Sequence, residues 1–531
     1  MNKILKAKAI LPYLKEGSTL ATVGFTLMGA CGTILNEIER SFLETGFPNN
    51  LTLLHGAGQC DRVNGLQRLA HKGLIKRIIG AHWGLAPKWG ELIHNNEVEA
   101  YCLPQGQLVH LFRAMASGKP GNFSKVGLGT FVDPRVEGGK INDRSRQGED
   151  IVEVLTLHNE EYLYYKSQPI DVAIIRGTTA DESGNVTMEE EAIKYEALSV
   201  AQAAKSNGGK VFVQVKYIAK NGDLHPKQIV IPGIFVDGIV VAENPIEEHR
   251  QSSSYYFEPV YAGDIRVPES ESAPLPLNVR KVIGRRACME LFPGAIVNLG
   301  TGIPGDTLGP IATEEKINGE ITLTIESGVI GGIPEGGIDF GITKNAIAII
   351  EHGSQFDYYN GSGVDVTFMG MAEADSDGNV NVSKFGTKTV GCGGFIDITQ
   401  PAKKVVYCAT FTAGGLEVAI DNGNLRIEKE GIARKFLKKV NQITFSGHYA
   451  RKNNQPVLFV TERAVFELRK EGIVLIEIAP GIDLEKDILD LMDFRPIVSD
   501  KLKMMDPRIF RDEPIGLCDD FFRTEAAATS E

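Results

Sequence analysis

The stretch ITLTIESGVIGGIPEGG (321–337) places a carboxylate where chemistry is expected. A β-branched run typical of a strand leads into Glu326, and Ser327 and Gly328 follow at once. Open α/β sheets gather their active sites at the carboxyl ends of their strands, and small neighbours leave room for a bulky substrate. Glu326 is therefore a candidate functional carboxylate. The alternative is a glutamate that only solvates a strand end, because glutamates are mostly found at protein surfaces.

A second stretch, Gly300-Thr-Gly-Ile-Pro-Gly305, has the spacing of a dinucleotide-binding turn. It follows a strand-like segment and precedes a helical pattern, and Rossmann domains also place an acid at the end of the next strand, where Glu326 lies. The same residues therefore fit a second interpretation, a nicotinamide-dependent oxidoreductase with Glu326 on a ribose. Strand-to-helix turns of many kinds use glycine, so the motif alone does not decide between the two.

Two further stretches carry groups that can contact a ligand. The glycines of Gly391-Cys-Gly-Gly-Phe-Ile-Asp397 let a backbone N–H approach a ligand with no Cβ in the way, or else form a tight strand connection. In Tyr101-Cys-Leu-Pro-Gln-Gly106 a short strand leads to Gln105, which opens a helix. The Gln105 amide can donate to an oxyanion, or it can cap that helix.

The elements that must position these groups alternate between strand and helix. Short apolar strands rich in Val, Ile and Leu are predicted at STLATVGF (18–25), LTLLHGAG (51–58), AIVNLGTG (295–302) and KKVVYCATF (403–411). Amphipathic helices are predicted at GTILNEIERSFLETG (32–46), QGQLVHLFRAMASG (105–118) and the N-terminus, MNKILKAKAILPYLKEG. This alternation favours an α/β fold with mostly parallel sheets flanked by helices.

The segment VPESESAPLPL (267–277) is interpreted as a linker, since it is rich in Pro, Ser and Glu and has no periodicity. The sequence after this linker resembles the start of the chain. Leu14-Lys-Glu-Gly17 before the first strand matches Leu291-Phe-Pro-Gly294, and Ala180–Val186 matches Ala374–Val380, with an insertion between these landmarks in the first half. The pattern indicates two related domains.

We therefore predict two similar open α/β domains fused in one chain. The predicted boundaries are 1–266 for the N-terminal domain with its insertion, 267–277 for the linker, 278–520 for the C-terminal domain that carries Glu326, and 521–531 for a flexible tail.

Composition excludes several classes of function. A net charge of −12 without a long basic run gives no electrostatic footprint for nucleic acid. Lysines interrupt the apolar N-terminus, and no apolar run is long enough to span a membrane. The seven cysteines are scattered without a C-x-x-C pair, so we expect neither a disulfide framework nor a metal site, and a reducing cytoplasmic location.

Taken together, five stretches resemble one known family. They are TIESGVIGG, YCLPQG, VNLGTGIP, VGLGTFVDPR (126–135) and GCGGFIDITQPAKKVVYCATFTAGG (391–415). In this order they resemble the family I CoA-transferases, most closely the bacterial acetate and propionate CoA-transferases, and the resemblance spans the chain to about residue 520. It implies the CoA-transferase fold, in which two similar α/β domains form the enzyme.

The resemblance also implies site residues. The glutamate that opens E-[SNT]-G is the family's nucleophile, which carries this role to Glu326. The glutamine of P-Q-G and the second glycine of the Gly-Gly pair supply oxyanion contacts, which carries these roles to Gln105 and Gly394. Gly414 and Gly415 are candidates for contacting CoA.

The implied reaction transfers CoA from a short-chain acyl-CoA to a free short-chain carboxylate through an acyl-glutamyl anhydride and a glutamyl-CoA thioester. Such covalent chemistry predicts ping-pong kinetics, with CoA as substrate and no metal or redox cofactor. The resemblance also implies a dimer or a tetramer, so we expect a homo-oligomer. An acyl-CoA hydrolase, a non-catalytic binding protein and the Rossmann oxidoreductase remain as alternatives, because one fold hosts many functions.

Overall fold

The first half of the chain is built on a seven-stranded sheet in which all neighbouring strands run parallel. The computed structural model describes residues 3–268, 274–361 and 363–521. Every residue of Val172–Arg176 is buried, as expected for a central strand of a parallel sheet covered on both faces. In spatial order the strands are Gly238–Val241, Lys210–Val215, Val172–Arg176, Thr19–Thr22, Leu51–His55, Ile75–Gly80 and Glu99–Cys102.

The second half is built on a ten-stranded mixed sheet. Its five central strands, Thr322–Ile325 to Val457–Val460, are parallel, and antiparallel strands extend it on both sides. In spatial order the strands are Ala348–Ile349, Val329–Ile330, Thr322–Ile325, Ile296–Leu299, Val366–Gly370, Val405–Cys408, Val457–Val460, Ala464–Arg469, Gly472–Ile478 and Ile497–Met504.

Helices connect the strands and cover the sheets. In the first half they are Gly32–Thr45, Pro87–His94, Gln105–Ala116, Asp143–Arg146, Ala197–Ser206, Pro245–Glu248 and Pro259–Ala262. In the second half they are Val279–Cys288, Ile303–Glu314, His352–Gly361, Phe395–Thr399, Gly447–Lys452 and Leu484–Asp487. None of the helices in the described ranges combines the length and apolarity needed to cross a bilayer.

The two halves share a strand order, which confirms the predicted pair of similar α/β domains. The first sheet contains the row Leu51–His55, Thr19–Thr22, Val172–Arg176, Lys210–Val215 and Gly238–Val241. The second contains the corresponding row Thr322–Ile325, Ile296–Leu299, Val366–Gly370, Val405–Cys408 and Val457–Val460. Between Leu51–His55 and Val172–Arg176 the first half adds a three-stranded sheet, ordered Gly121–Ser124, Glu160–Lys166, Val152–Leu157, where the insertion was expected.

The two Asp-rich segments form the same turn in both halves. The Asp181 carboxylate accepts from the backbone N–H groups of Ser183 and Asn185, each at 3.0 Å. The Asp375 carboxylate likewise accepts from the N–H groups of Asp377 and Asn379, each at 3.0 Å. Each aspartate folds the chain back on itself by binding backbone N–H groups, as turn-forming aspartates do.

The predicted amphipathic helix at the N-terminus is present in a shorter form, with Ala7, Ile10 and Leu11 buried. Only a short 3₁₀ helix, Ala7–Tyr13, forms there, and it contains Pro12. Proline has no N–H to donate and its ring clashes with the preceding turn, so a regular α-helix is disfavoured at this point.

An apolar core joins the two halves. The buried cluster centred on the first sheet includes side chains from the second half, namely Ile325, Val329, Phe340, Ile342, Cys392 and Ile396. The middle of the predicted linker (269–273) and all but the first residue of the predicted tail (522–531) lie outside the described residues. The domain boundaries therefore stay a prediction.

Candidate active site

Glu326 lies at the carboxyl end of the parallel strand Thr322–Ile325, as the sequence predicts. The chain reverses there, because Ile325 pairs with Val329 in the next, antiparallel strand. Gly328 has a φ of +105°, and a Cβ on it would stand 2.3 Å from the carbonyl oxygen of Ile350. The glycine is thus required by the turn itself, and the Ser327 hydroxyl is buried and donates to Gly341 O at 2.7 Å. Both small residues therefore shape the turn that carries Glu326.

A cavity of about 470 Å³ lies in front of Glu326, between the two halves of the molecule. The first half contributes Phe25 and Gln105 to its wall, and the second half contributes Glu326, Gly394 and Phe340. The three residues predicted to do chemistry therefore line one cavity, although they come from distant parts of the sequence.

The glycine-rich strip of the second half lies against the first half. Gly393 donates its N–H to Ala81 O at 2.9 Å and accepts the Gln105 N–H at 3.0 Å. Gly391 has a φ of +86°, and a Cβ there would stand 2.3 Å from Ala81 O. The backbones approach so closely that side chains are excluded, which explains why glycine recurs in this strip.

Gly394 is the residue of this strip that faces the carboxylate. It caps the helix Phe395–Thr399, so its N–H has no carbonyl partner inside that helix. A Cβ on Gly394 would stand 3.3 Å from Glu326 Cγ and 3.2 Å from Phe356 Cζ. Because Gly394 has no Cβ, the Glu326 side chain can lie close to the backbone of this residue.

Gln105 begins the helix Gln105–Ala116 directly after the strand Glu99–Cys102, and its side chain is buried. The start of this helix is bound to the second half. The Asp397 carboxylate accepts from Gly106 N and from Gln107 Nε2, both at 2.8 Å. Burial raises the pKa of Asp397 to about 6, although the hydrogen bonds from Gln107 and Gly106 act to lower this pKa.

Two buried residues that sequence reasoning missed complete the site. Gln105 Nε2 lies 2.8 Å from His352 Nε2, and His352 Nδ1 lies 2.8 Å from Glu196 Oε2. Glu196 and His352 are 156 residues apart in the sequence, and neither belongs to a recognisable spacing pattern. No local signal identifies them, because only the packing of the two halves brings them together.

The surroundings of Glu326 oppose its charge. Burial raises the pKa of Glu326 to about 7, and its own backbone N–H, the charge of His352 and the Asn298 amide lower it in part. Its Oε2 is buried and has no hydrogen-bond partner among the described residues. A carboxylate held with few partners is less stabilised than one in water, which makes it a better nucleophile.

The turn Gly300–Gly305 belongs to the same cavity. Gly300 and Thr301 line it, and the helix Ile303–Glu314 begins directly after Gly302. The turn therefore adjoins Glu326 as the dinucleotide interpretation also requires, so geometry alone leaves both interpretations standing.

Gly414 and Gly415 lie elsewhere and are not part of the cavity wall. Their φ angles are +78° and +92°, and a Cβ on Gly414 would stand 2.8 Å from the Ile432 side chain. The structure thus explains these glycines by the turn they form, and their contact with CoA stays a prediction.

No group of three or more His, Cys, Asp or Glu side chains within the described ranges has the arrangement of a metal site. The cavity wall holds the Glu326 carboxylate, the Gln105 amide and glycine backbone, together with the polar residues His82, Lys388, Thr26 and Thr301. Such a set stabilises an oxyanion and attacks a carbonyl carbon.

Comparisons with known proteins point in one direction. A family model for Coenzyme A transferase matches residues 5–242. The caffeate CoA-transferase of Acetobacterium woodii is 48% identical over 523 residues, which cover 97% of this chain and 99% of that protein. The acetate CoA-transferase YdiF of Escherichia coli (strain K12) is 43% identical over 519 residues, which cover 97% of this chain and 96% of that protein.

Solved structures agree with these relatives. The acyl-CoA transferase YdiF of Escherichia coli O157:H7 has been crystallised as an apoenzyme and as a thioester complex with CoA. The two structures match this chain with TM-scores of 0.91 and 0.90, each at 41% identity and covering 97% of both chains.

Proposed function

Because the chain belongs to the CoA-transferase family, we propose that it moves CoA from a short-chain acyl-CoA to a free short-chain carboxylate through a covalent intermediate on Glu326. The observation that carries this proposal is the shared cavity. Glu326, Gln105 and Gly394 come from three distant segments and from both halves, yet they line one space.

The first step is attack of the Glu326 carboxylate on the thioester carbonyl. A bond forms between a Glu326 oxygen and the acyl carbon, and the carbonyl electrons move to oxygen. Collapse of this tetrahedral species breaks the carbon–sulfur bond, releases the CoA thiolate and leaves an acyl-glutamyl anhydride.

The thiolate then attacks the glutamyl carbonyl of the anhydride. The donor acid leaves as its carboxylate, and Glu326 remains as a thioester to CoA. An acceptor carboxylate reverses the two steps and departs as the new acyl-CoA. Atoms and charges balance with CoA and the two acids alone, so the chemistry requires no metal or redox cofactor.

Each tetrahedral species carries an oxyanion that needs donors. The Gln105 amide and the Gly394 N–H are the candidates, because both face the cavity beside Glu326. Donors held in place before the reaction lower the barrier most, since they need no reorganisation as the charge develops. The hydrogen bond from Gln105 N to Gly393 O fixes the two donors relative to each other.

An aromatic acid is a second candidate substrate. The cavity wall includes the side chains of Phe25, Phe340, Phe385, Met369 and Met371, which suit an apolar ring as well as a short alkyl chain. The two relatives act on caffeate and on acetate according to their names. A panel of acyl-CoA donors against acetate, propionate and arylacrylate acceptors, with the product CoA esters identified by mass, separates the two substrate classes.

The central test is the adduct itself. With acyl-CoA and no acceptor, the enzyme should gain the mass of CoA minus water, and peptide mapping should place the adduct on Glu326. Borohydride should reduce this thioester and inactivate the enzyme, and enzyme without acyl-CoA should be unaffected.

Two variants serve as matched controls for this test. Glu326→Gln keeps the shape but removes the anion, and Glu326→Asp withdraws it by one methylene. Both should lose nearly all activity, because attack tolerates only small misplacement of the reacting atoms. An adduct on another residue, or an active Glu326→Gln enzyme, would contradict the proposal.

The alternatives predict other outcomes. A hydrolase of this fold would consume the thioester with water and without an acceptor. The oxidoreductase interpretation predicts nicotinamide binding, and the comparisons do not favour it. A homo-oligomer and a cytoplasmic location remain predictions, which light scattering and cell fractionation would check.

A further inference from the structure

Three buried side chains form a hydrogen-bonded chain behind the cavity. Glu196 Oε2 lies 2.8 Å from His352 Nδ1, and His352 Nε2 lies 2.8 Å from the Gln105 side-chain amide. Glu196 and Gln105 are each 2% exposed and His352 is 0% exposed, so water does not compete for these bonds. The Gln105 end of this chain lines the cavity.

The bond to His352 decides which end of the Gln105 amide faces the cavity. The oxygen and nitrogen of an amide have nearly the same shape, so hydrogen-bond partners determine which occupies each place. The end that is not bound to His352 lies toward Gly393, 3.8 Å from where a Cβ on that glycine would stand. If His352 Nε2 accepts, the amide oxygen faces the cavity and cannot donate to an oxyanion. If His352 Nε2 donates, the amide NH₂ faces the cavity and can donate.

The burial of Glu196 favours a His352 ring whose Nε2 donates to Gln105. Its Oε1 has no hydrogen-bond partner among the described residues, and an isolated buried carboxylate is strongly disfavoured unless a cation pairs with it. His352 is the side chain in contact with the Glu196 carboxylate. A carboxylate in contact with the ring stabilises an imidazolium, which carries a proton on both ring nitrogens and therefore donates in both directions.

The backbone on both sides holds this arrangement in place. Tyr195, directly before Glu196, is fully buried and has a φ of +56°, which is uncommon for a side chain of its size. Its carbonyl accepts the His352 backbone N–H at 3.1 Å, and its hydroxyl lies in a buried network with Glu191 and Arg176. Unfavourable backbone conformations persist where the surrounding structure fixes them, often at functional sites.

We propose that Glu196 and His352 are positioning residues: the Glu196 carboxylate keeps His352 as an imidazolium, whose Nε2–H binds the Gln105 oxygen and so turns the amide NH₂ toward the cavity that Glu326 lines. This inference rests on the proposed function, since it assigns a supporting role within the same site. Neither residue touches the substrate. Both act through Gln105.

Transfer kinetics test the proposal through graded variants. His352→Met removes the donor to Gln105, whereas His352→Gln keeps an N–H₂ donor near the place of Nε2. We expect kcat to fall about 100-fold in His352→Met, the scale for losing an oxyanion donor, and clearly less in His352→Gln. Glu196→Gln should lower kcat roughly 10- to 100-fold, because a neutral partner no longer fixes the ring as a cation. The KM for acyl-CoA should change little in all three variants.

A second histidine–glutamate pair provides the matched control. His71 Nε2 lies 2.9 Å from Glu39 Oε1, outside the cavity, so Glu39→Gln makes the same chemical change without reaching Gln105. It should leave kcat unchanged. Circular dichroism and thermal unfolding of each variant separate loss of catalysis from loss of fold.

Nitrogen-15 NMR of histidine-labelled protein provides a readout that does not depend on activity. The His352 signals, identified by their loss in His352→Gln, should show both ring nitrogens protonated, and Glu196→Gln should convert the ring to a neutral form. A neutral His352 in the wild-type protein would overturn the proposal, as would formation of the Glu326 adduct at the wild-type rate in both Glu196→Gln and His352→Met. Failure of the wild-type enzyme to form any adduct would instead remove the proposed function.

Discussion

At the scale of single residues, the environment of Glu326 couples its reactivity to pH. Burial raises the pKa of this carboxyl from 4.5 to about 7, so a large fraction is protonated and unreactive in mildly acidic solution. Attack on a thioester requires the ionised form. The fraction in that form grows as the pH rises through the raised pKa.

We therefore expect kcat/KM for acyl-CoA to rise with pH and to level off above about 7. The ionising group is Glu326 in the free enzyme, and kcat/KM reports the free enzyme. Stopped-flow formation of the Glu326 thioester between pH 5 and 9 measures it. A rate that is already level at pH 5 would contradict this assignment.

The pH dependence of unfolding of Glu326→Gln gives an independent check on the raised pKa of Glu326. Because the folded pKa is raised, the folded state binds more protons than the unfolded state between pH 4.5 and about 7. The stability that the Glu326 carboxyl contributes to the wild-type protein is therefore greatest below pH 4.5. It is lost as the pH rises to about 7. Glu326→Gln has no ionisable group at this position and does not lose this stability. Its melting temperature relative to wild type should therefore increase between pH 4.5 and about 7 and then stay constant.

At the scale of elements, the site is assembled where helices and turns begin. Gln105, His352 and Gly394 each stand at the start of a helix, and Glu326 stands at the end of a strand. These positions fix the side chains through the backbone of regular elements. The Asp397 carboxylate reinforces this by accepting from the Gly106 backbone N–H and from the Gln107 side chain, at the start of the helix that Gln105 opens.

For Gln105→Ala we predict a fold close to wild type and turnover lowered on the order of 100-fold, the scale for a lost oxyanion donor. The fold survives because the backbone N–H of residue 105 still binds Gly393 O and the helix start remains bound to Asp397. Steady-state kinetics and thermal unfolding measure the two quantities. A turnover rate equal to wild type in a folded Gln105→Ala protein would exclude the Gln105 side chain from the mechanism.

Sequence patterns predicted these elements unevenly, for physical reasons. The helices at Gly32 and Gln105 and the strand before Glu326 carry strong local periodicity, and the structure contains them. The predicted N-terminal helix is present but short and of the 3₁₀ type, because Pro12 in its last turn disfavours a regular α-helix.

The site residues differ in the same way: those in local motifs were predicted, and those brought together only by packing were not. Glu326, Gln105 and Gly394 lie in short motifs, and the structure places all three at one cavity, though their catalytic roles stay predictions. Glu196 and His352 have no such motif, since their proximity arises only when the two halves pack. Gly328 is also needed by the turn, so its presence there does not by itself indicate space for a substrate.

At the scale of the whole molecule, the cavity belongs to both halves and their apolar core is continuous. A ligand bound there contacts both halves at once. Binding should therefore stabilise the chain as a unit, by an amount set by ligand concentration relative to Kd.

We expect acyl-CoA to raise the melting temperature of Glu326→Gln, which binds the substrate without consuming it. At 100 times Kd the added stability is about 2.7 kcal/mol. Differential scanning calorimetry should show one transition that moves as a whole. Two transitions of which only one responds to acyl-CoA would show that the ligand contacts a single half.

The catalytic centre lies between two sheets of one chain, and this affects how the centre is assembled. Gln105 and Glu326 lie on different sheets, so the centre exists only while the two sheets are docked. Their covalent linkage turns this docking into an intramolecular encounter, for which the effective concentration is set by the connecting chain and not by the amount of enzyme. Dilution therefore cannot separate the two halves from each other, and specific activity should not decline at low enzyme concentration through loss of this contact.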